Sequence, residues 1–145
     1  MDTATRPVFA VQRSGERAYA DHGWLRTFHS FAFADYFDPN NTNWGALRVF
    51  NDDTILGGGA FPTHPHRDME ILTYVLEGAI AHEDSTGARE TLTPGELQHM
   101  SAGRGVVHSE MKGSDHAYRK KVQRARPREP RLARLQLQLF LCRLL

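Results

Sequence analysis

From residue 21 to residue 111 of this 145-residue chain, turn-forming clusters recur at short intervals, and no convincing helix of 12 residues is found among them. Asp38 to Asn41, Asn51 to Asp53, Gly57 to Gly59, Glu77 with Gly78, Asp84 to Gly87, and Thr93 to Gly95 each combine glycine, proline or a short polar side chain, the residues that close turns. The segments between them are short and rich in β-branched and aromatic residues. They lie at Phe28–Phe33, Leu47–Phe50, Met69–Leu76, Ala79–His82, Glu90–Leu92, Leu97–Met100 and Val106–Met111. This spacing predicts an all-β antiparallel sandwich or barrel. Met69–Leu76 and Ala79–His82 are expected to pair as a hairpin through Glu77 and Gly78. Trp24, Phe28, Phe31 and Phe33 are expected in the core, and Asp52 and Asp53 in a turn rather than as an acid pair. No sequence period of a repeat protein is present.

Length and composition bound the rest. The size suits one domain, and 40% hydrophobic with 24% charged residues is ordinary for a folded soluble protein. The single cysteine, Cys142, excludes an internal disulfide framework. The N-terminus has no secretory pattern, and no apolar run reaches the roughly 18–20 residues that span a bilayer. A cytoplasmic protein without a membrane partner is expected. The net charge of +1 conceals an asymmetry: residues 1–116 carry 9 basic against 16 acidic residues, and residues 117–145 carry 9 against 1. An acidic body disfavours nucleic acid as a partner. The abrupt shift sets a boundary, with a body at 1–116 and a basic, Leu-rich tail at 117–145. RKKVQRARPR in that tail could serve as a basic address or nucleic-acid patch. A frameshifted or truncated, disordered end is the favoured reading, and the alternative is that LQLQLFL supplies a barrel strand by its alternation.

Two spaced pairs carry the chemistry. Alternate residues of a strand share a face, so His64 and His66 project together, with Pro65 stiffening the backbone between them, and His108 and Glu110 do likewise on a later strand. Brought together, they offer three imidazoles and a carboxylate to one ion. That set suits Fe(II), and also Mn, Ni, Cu or Zn. A lone His-x-His is more often an ordinary polar face; here the glycine turns ahead of both pairs strengthen the metal reading. Glu70, on the same face as His64 and His66 if alternation is strict, would be a contact behind the ligands or a proton acceptor, or simply a solvated carboxylate. His82, His99 and His116 match no ligand spacing and are expected as surface or hydrogen-bonded histidines.

The stretches DHGWLRTFHSFAFADYFDP, GALRVFNDD, THPHRDMEILTYVLEG and SAGRGVVHSEM resemble the amino-terminal domain of pirins, a family of double-cupin proteins. The resemblance covers most of residues 10–116. Against the general cupin pattern Gly78 falls one residue late after Glu70, and Ser101 stands where proline is usual, a pirin-like departure. The resemblance implies a cupin (double-stranded β-helix or jelly-roll) barrel, here incomplete, with iron held by His64, His66, His108 and Glu110. Bacterial pirins of this kind resemble quercetin 2,3-dioxygenases, so it implies an oxidoreductase acting on a flavonol with O2, with Glu110 as ligand and candidate catalytic base and Glu70 as a second candidate base. Animal pirins instead suggest a redox-sensing regulator with a protein partner. A third reading is a fragment of little activity, because a barrel lacking its closing strands exposes backbone at an edge.

Overall fold

The computed structural model describes residues 10–112 and the backbone of residues 133–142. His116 and the basic stretch at 119–128 lie outside the described residues. Among the described residues ten strands follow one another: β1 (Ala18–Asp21), β2 (Leu25–His29), β3 (Leu47–Ile55), β4 (Ala60–His66), β5 (Met69–Val75), β6 (Ile80–Asp84), β7 (Arg89–Leu92), β8 (Leu97–Ser101), β9 (Val106–Lys112) and β10 (Ala133–Cys142). A single 3-10 turn, Ser14–Glu16, precedes them. Among the described residues no helix is long and apolar enough to cross a membrane.

The strands form two sheets, one ordered β1-β2-β3-β10-β5-β8 and one ordered β4-β9-β6-β7. Every ladder is antiparallel. The protein is all-β as the turn spacing predicts, and among the described residues no ladder joins the two sheets, so the barrel is not closed. Leu25, Ile55 and Val75 from the larger sheet meet Ile80 and Leu92 from the smaller one, with Trp24 and Phe61 packed against them. Ile55, Val75 and Ile80 are wholly buried. This apolar plug holds the sheets face to face by area removed from water.

Three expectations are corrected. Asn51–Asp52–Asp53 is not a turn but the middle of β3. Its partners outweigh its local preference: Asn51 Oδ1 lies 2.9 Å from His29 Nδ1, and Asp52 forms a 3.0 Å ion pair with Arg17. Second, β5 and β6 do not form a hairpin. The chain crosses from one sheet to the other after Val75, through Gly78 at φ +79°, so that Val75 and Ile80 face each other across the core instead of lying side by side. Third, the inward residues of β2 are Leu25, Thr27 and His29, which leaves Phe28 half-buried on the other face, 5.3 Å below the Arg17 guanidinium and 5.0 Å from the Tyr19 ring. Phe33 is exposed, whereas Trp24 does pack on the core.

The tail segment LQLQLFL does enter the sheet. Its strand β10 pairs on one side with β3, where Phe140 opposes Val49, and on the other with β5, where Leu135 opposes Val75.

Candidate metal centre

The first His pair owes its aim to an irregularity in β4. Phe61 pairs with Glu110 and His64 with His108, so three steps along β4 match two along β9. One extra residue is therefore accommodated at Pro62–Thr63, a β-bulge, and a one-residue slip moves every later side chain to the opposite face. Without it, Phe61, Thr63 and Pro65 would share the inward face. With it, His64 and His66 follow Phe61 inward, while Thr63 and Pro65 are exposed. On β9, His108 (2% exposed) and Glu110 (1%) point the same way, between the exposed Val107 and Met111.

The three imidazoles converge. Ring centroids are 4.3 Å apart for His64 and His108, 4.8 Å for His64 and His66, and 4.9 Å for His66 and His108. Their ligating nitrogens lie within 4.8 Å of one another, as do the ligating atoms of a second group made of His82, His108 and Glu110. His108 belongs to both. His64, His66 and His108 thus come together, while Glu110 groups with His82 and His108 and shares only His108 with the first group. Thr73 Oγ1, inward on β5 of the facing sheet, donates to Glu110 Oε1 at 3.5 Å.

The donors suit a divalent cation. Burial pushes the His66 imidazole down to about 4, with His64 adding to the effect. Burial likewise pushes His108 down to about 3, aided by His64, His66 and His82 and opposed by Asp84. Both rings are therefore neutral at physiological pH, the state that binds metal. His64 Nδ1 donates to the Pro62 carbonyl at 2.7 Å, which fixes the tautomer and leaves Nε2 to ligate; the acceptor comes from the bulge itself. His108 Nε2 is buried with no hydrogen-bond partner among the described residues. A buried carboxylate beside bare imidazole nitrogens is costly unless a cation compensates.

Glu70 lies elsewhere. Ile71, Thr73 and Val75 are the buried residues of β5, so Glu70 is on its opposite face, and β5 is in the other sheet from β4. The expectation that Glu70 shares the face of His64 and His66 is corrected on that ground: the intervening Arg67–Asp68 link changes sheets and resets the alternation. Its carboxylate binds His99 Nε2 at 2.8 Å and Ser101 Oγ at 2.9 Å. His82, read from sequence as a surface or hydrogen-bonded residue, is 3% exposed and stands 3.3 Å from His108, Nδ1 to Nδ1. The available signal was the alternation Ile80, His82, Asp84, but sequence alone does not show that β6 pairs with β9.

The sequence profile of the pirin family matches residues 10–126. The chain belongs to the pirin family. Among curated pirin relatives it is 56% identical over 100 residues to the quercetin 2,3-dioxygenase of Escherichia coli strain K12, a match covering 69% of this chain and 43% of that one. It is 58% identical over 91 residues to a pirin-like protein of Caulobacter vibrioides, covering 63% and 39%. The crystal structure of the bacterial pirin YhhW from Escherichia coli in complex with nickel(II) superposes with a TM-score of 0.75 at 45% identity, over 90% of this chain and 50% of that one. The chain thus spans about two fifths of the length of these curated relatives.

Proposed function

We propose that this pirin chain carries a mononuclear iron centre, held by His64, His66, His108 and Glu110, and serves as the metal-bearing part of a flavonol 2,3-dioxygenase that uses O2. The observation that carries the proposal is the convergence of three imidazoles, two of them held neutral by burial, on the inward faces of β4 and β9, with the buried Glu110 carboxylate close to the shared His108. The curated relative named quercetin 2,3-dioxygenase supports the substrate class.

A bound Fe(II) would supply Lewis acidity and one-electron redox chemistry to an electron-rich flavonol and O2. The protein's part is positional. The bulge aims His64 and His66, the Pro62 carbonyl fixes the His64 tautomer, and the Thr73 hydroxyl orients Glu110. Glu110 is the group that accepts the flavonol 3-hydroxyl proton, at a carboxylate oxygen. Glu70, occupied by His99 and Ser101 on the outward face, is not placed for that task. A cleft of about 300 Å³ lined by Pro65, His66, Arg67, Arg104 and Val107, among others, lies where the exposed faces of β4 and β9 meet, and His64, His108 and Glu110 do not line it.

Anaerobic loading with Fe(II), followed by exposure to air with quercetin, should give loss of the flavonol absorbance with release of carbon monoxide. Absence of turnover with Fe(II), Mn(II), Ni(II), Cu(II) and Co(II) alike would overturn the assignment.

A further inference from the structure

His82 and Asp84 are outside the proposed ligand set, yet they are packed directly behind it. On β6 they oppose Glu110 and His108 of β9, respectively. Their side chains are 1% and 8% exposed. Asp84 caps the turn that joins β6 to β7: its Oδ1 accepts from the Thr86 amide at 2.8 Å, the Thr86 hydroxyl at 2.6 Å and the Ala88 amide at 3.3 Å. These bonds fix the carboxylate so that Oδ2 meets His82 Nε2 at 3.2 Å. The Thr86 hydroxyl above all, with His82 and the turn amides, holds Asp84 down at about 2 against the opposing effect of burial, so it only accepts.

The proton positions follow in order. His82 must carry hydrogen on Nε2 to donate to Asp84, and a neutral ring then leaves Nδ1 bare. That nitrogen is 3.3 Å from His108 Nδ1, so His108 is the donor and carries its hydrogen on Nδ1. His108 Nε2 is then a bare lone pair, and it is one of the buried side-chain atoms that have no hydrogen-bond partner among the described residues.

We propose that Asp84 and His82 are positioning residues that set the tautomer of His108 and present its Nε2 as a ready ligand before any metal arrives. The value of that tautomer to the protein rests on the metal reading above, whereas the tautomer itself does not.

The test is a long-range proton–nitrogen correlation spectrum of the metal-free, nitrogen-15-labelled full chain. It should show hydrogen on Nε2 of His82 and on Nδ1 of His108; hydrogen on Nε2 of His108 would overturn the proposal. A second arm measures Ni(II) affinity by chelator competition, with thermal unfolding checking that each variant is folded. Gln can still accept from His108 Nδ1, so His82→Gln should bind within a few fold of the parent, while His82→Leu should bind roughly 10- to 100-fold more weakly at an unchanged stoichiometry of one. Unaltered affinity in His82→Leu, or a loss of stoichiometry marking His82 as a ligand, would overturn it. If the tautomers are as stated and the parent binds no Ni(II), the metal reading fails and the tautomer chain stands.

Discussion

A single buried carboxyl shows how the interior trades stability against charge. Asp53 is 4% exposed on β3, where burial pushes it up to about 6, opposed by the Thr27 hydroxyl and reinforced by Asp52. Its folded value lies above the unfolded 3.8, so between roughly pH 4 and pH 6 the folded state binds more protons and stability falls as pH rises. Asp53→Asn removes that dependence. In the presence of a chelator the variant should gain on the parent by up to about 3 kcal/mol between pH 4 and pH 7, read as the difference in urea unfolding free energy. An unchanged difference across that range would contradict the burial argument. Gly59 gives a prediction of the other sign. A Cβ there would stand 2.9 Å from Ile55 Cγ2 and from Trp24 Cε3, and 3.1 Å from the Leu56 carbonyl oxygen. Overpacking costs about 1–3 kcal/mol, against a gain of about 0.4–1 kcal/mol from a stiffer unfolded chain, so Gly59→Ala should lower the melting temperature.

At the level of strands, the bulge at Pro62–Thr63 decides which face His64 and His66 occupy. Deleting Thr63 removes the extra residue, so β4 pairs regularly with β9 while His64 and His66 stay on the face of Phe61 and His64 still opposes His108. The deletion should therefore keep stoichiometric Ni(II) binding, measured by elemental analysis; loss of nickel with the β-sheet circular dichroism retained would show that the bulge does more than correct the alternation. The sequence carried the ligand spacing clearly, because an x-separated pair survives wherever the strand begins. It did not carry the bulge, since Pro62 and Thr63 look like ordinary strand residues until their partner on β9 is known. The same limit explains the other misses. Asn51 and Asp53 read as turn formers because their preferences are local, whereas the His29 and Thr27 side chains that accompany them come from a strand more than 20 residues away. Val75 and Ile80 read as neighbours in a hairpin because adjacency in sequence gives no sign of which sheet each joins.

For the whole molecule, a metal held by His64, His66, His108 and Glu110 would couple two strands of the same sheet, with Thr73 of the other sheet behind Glu110. Any ion that binds the folded protein alone adds stability by mass action, about 2.7 kcal/mol at 100 times the dissociation constant. For a chain of this size that corresponds to a rise of roughly 5–10 °C in melting temperature, which scanning calorimetry with and without Ni(II) would check. No rise at saturating nickel would mean that the site is not preformed. The all-β class and the spacing of the two pairs were legible because both depend on short-range patterns. The division into two sheets was not, because it is set by contacts between residues far apart in the chain.

The strand at the heart of the larger sheet is the last in sequence among the described ones. During synthesis β3 and β5 therefore emerge well before the segment that will lie between them, and for some seconds at ordinary translation speed each has an unfilled row of amides and carbonyls. A nascent chain in that condition is open to capture by any other extended peptide, so holding chaperones should bind it most strongly when the ribosome has passed Val75 but not yet released Ala133.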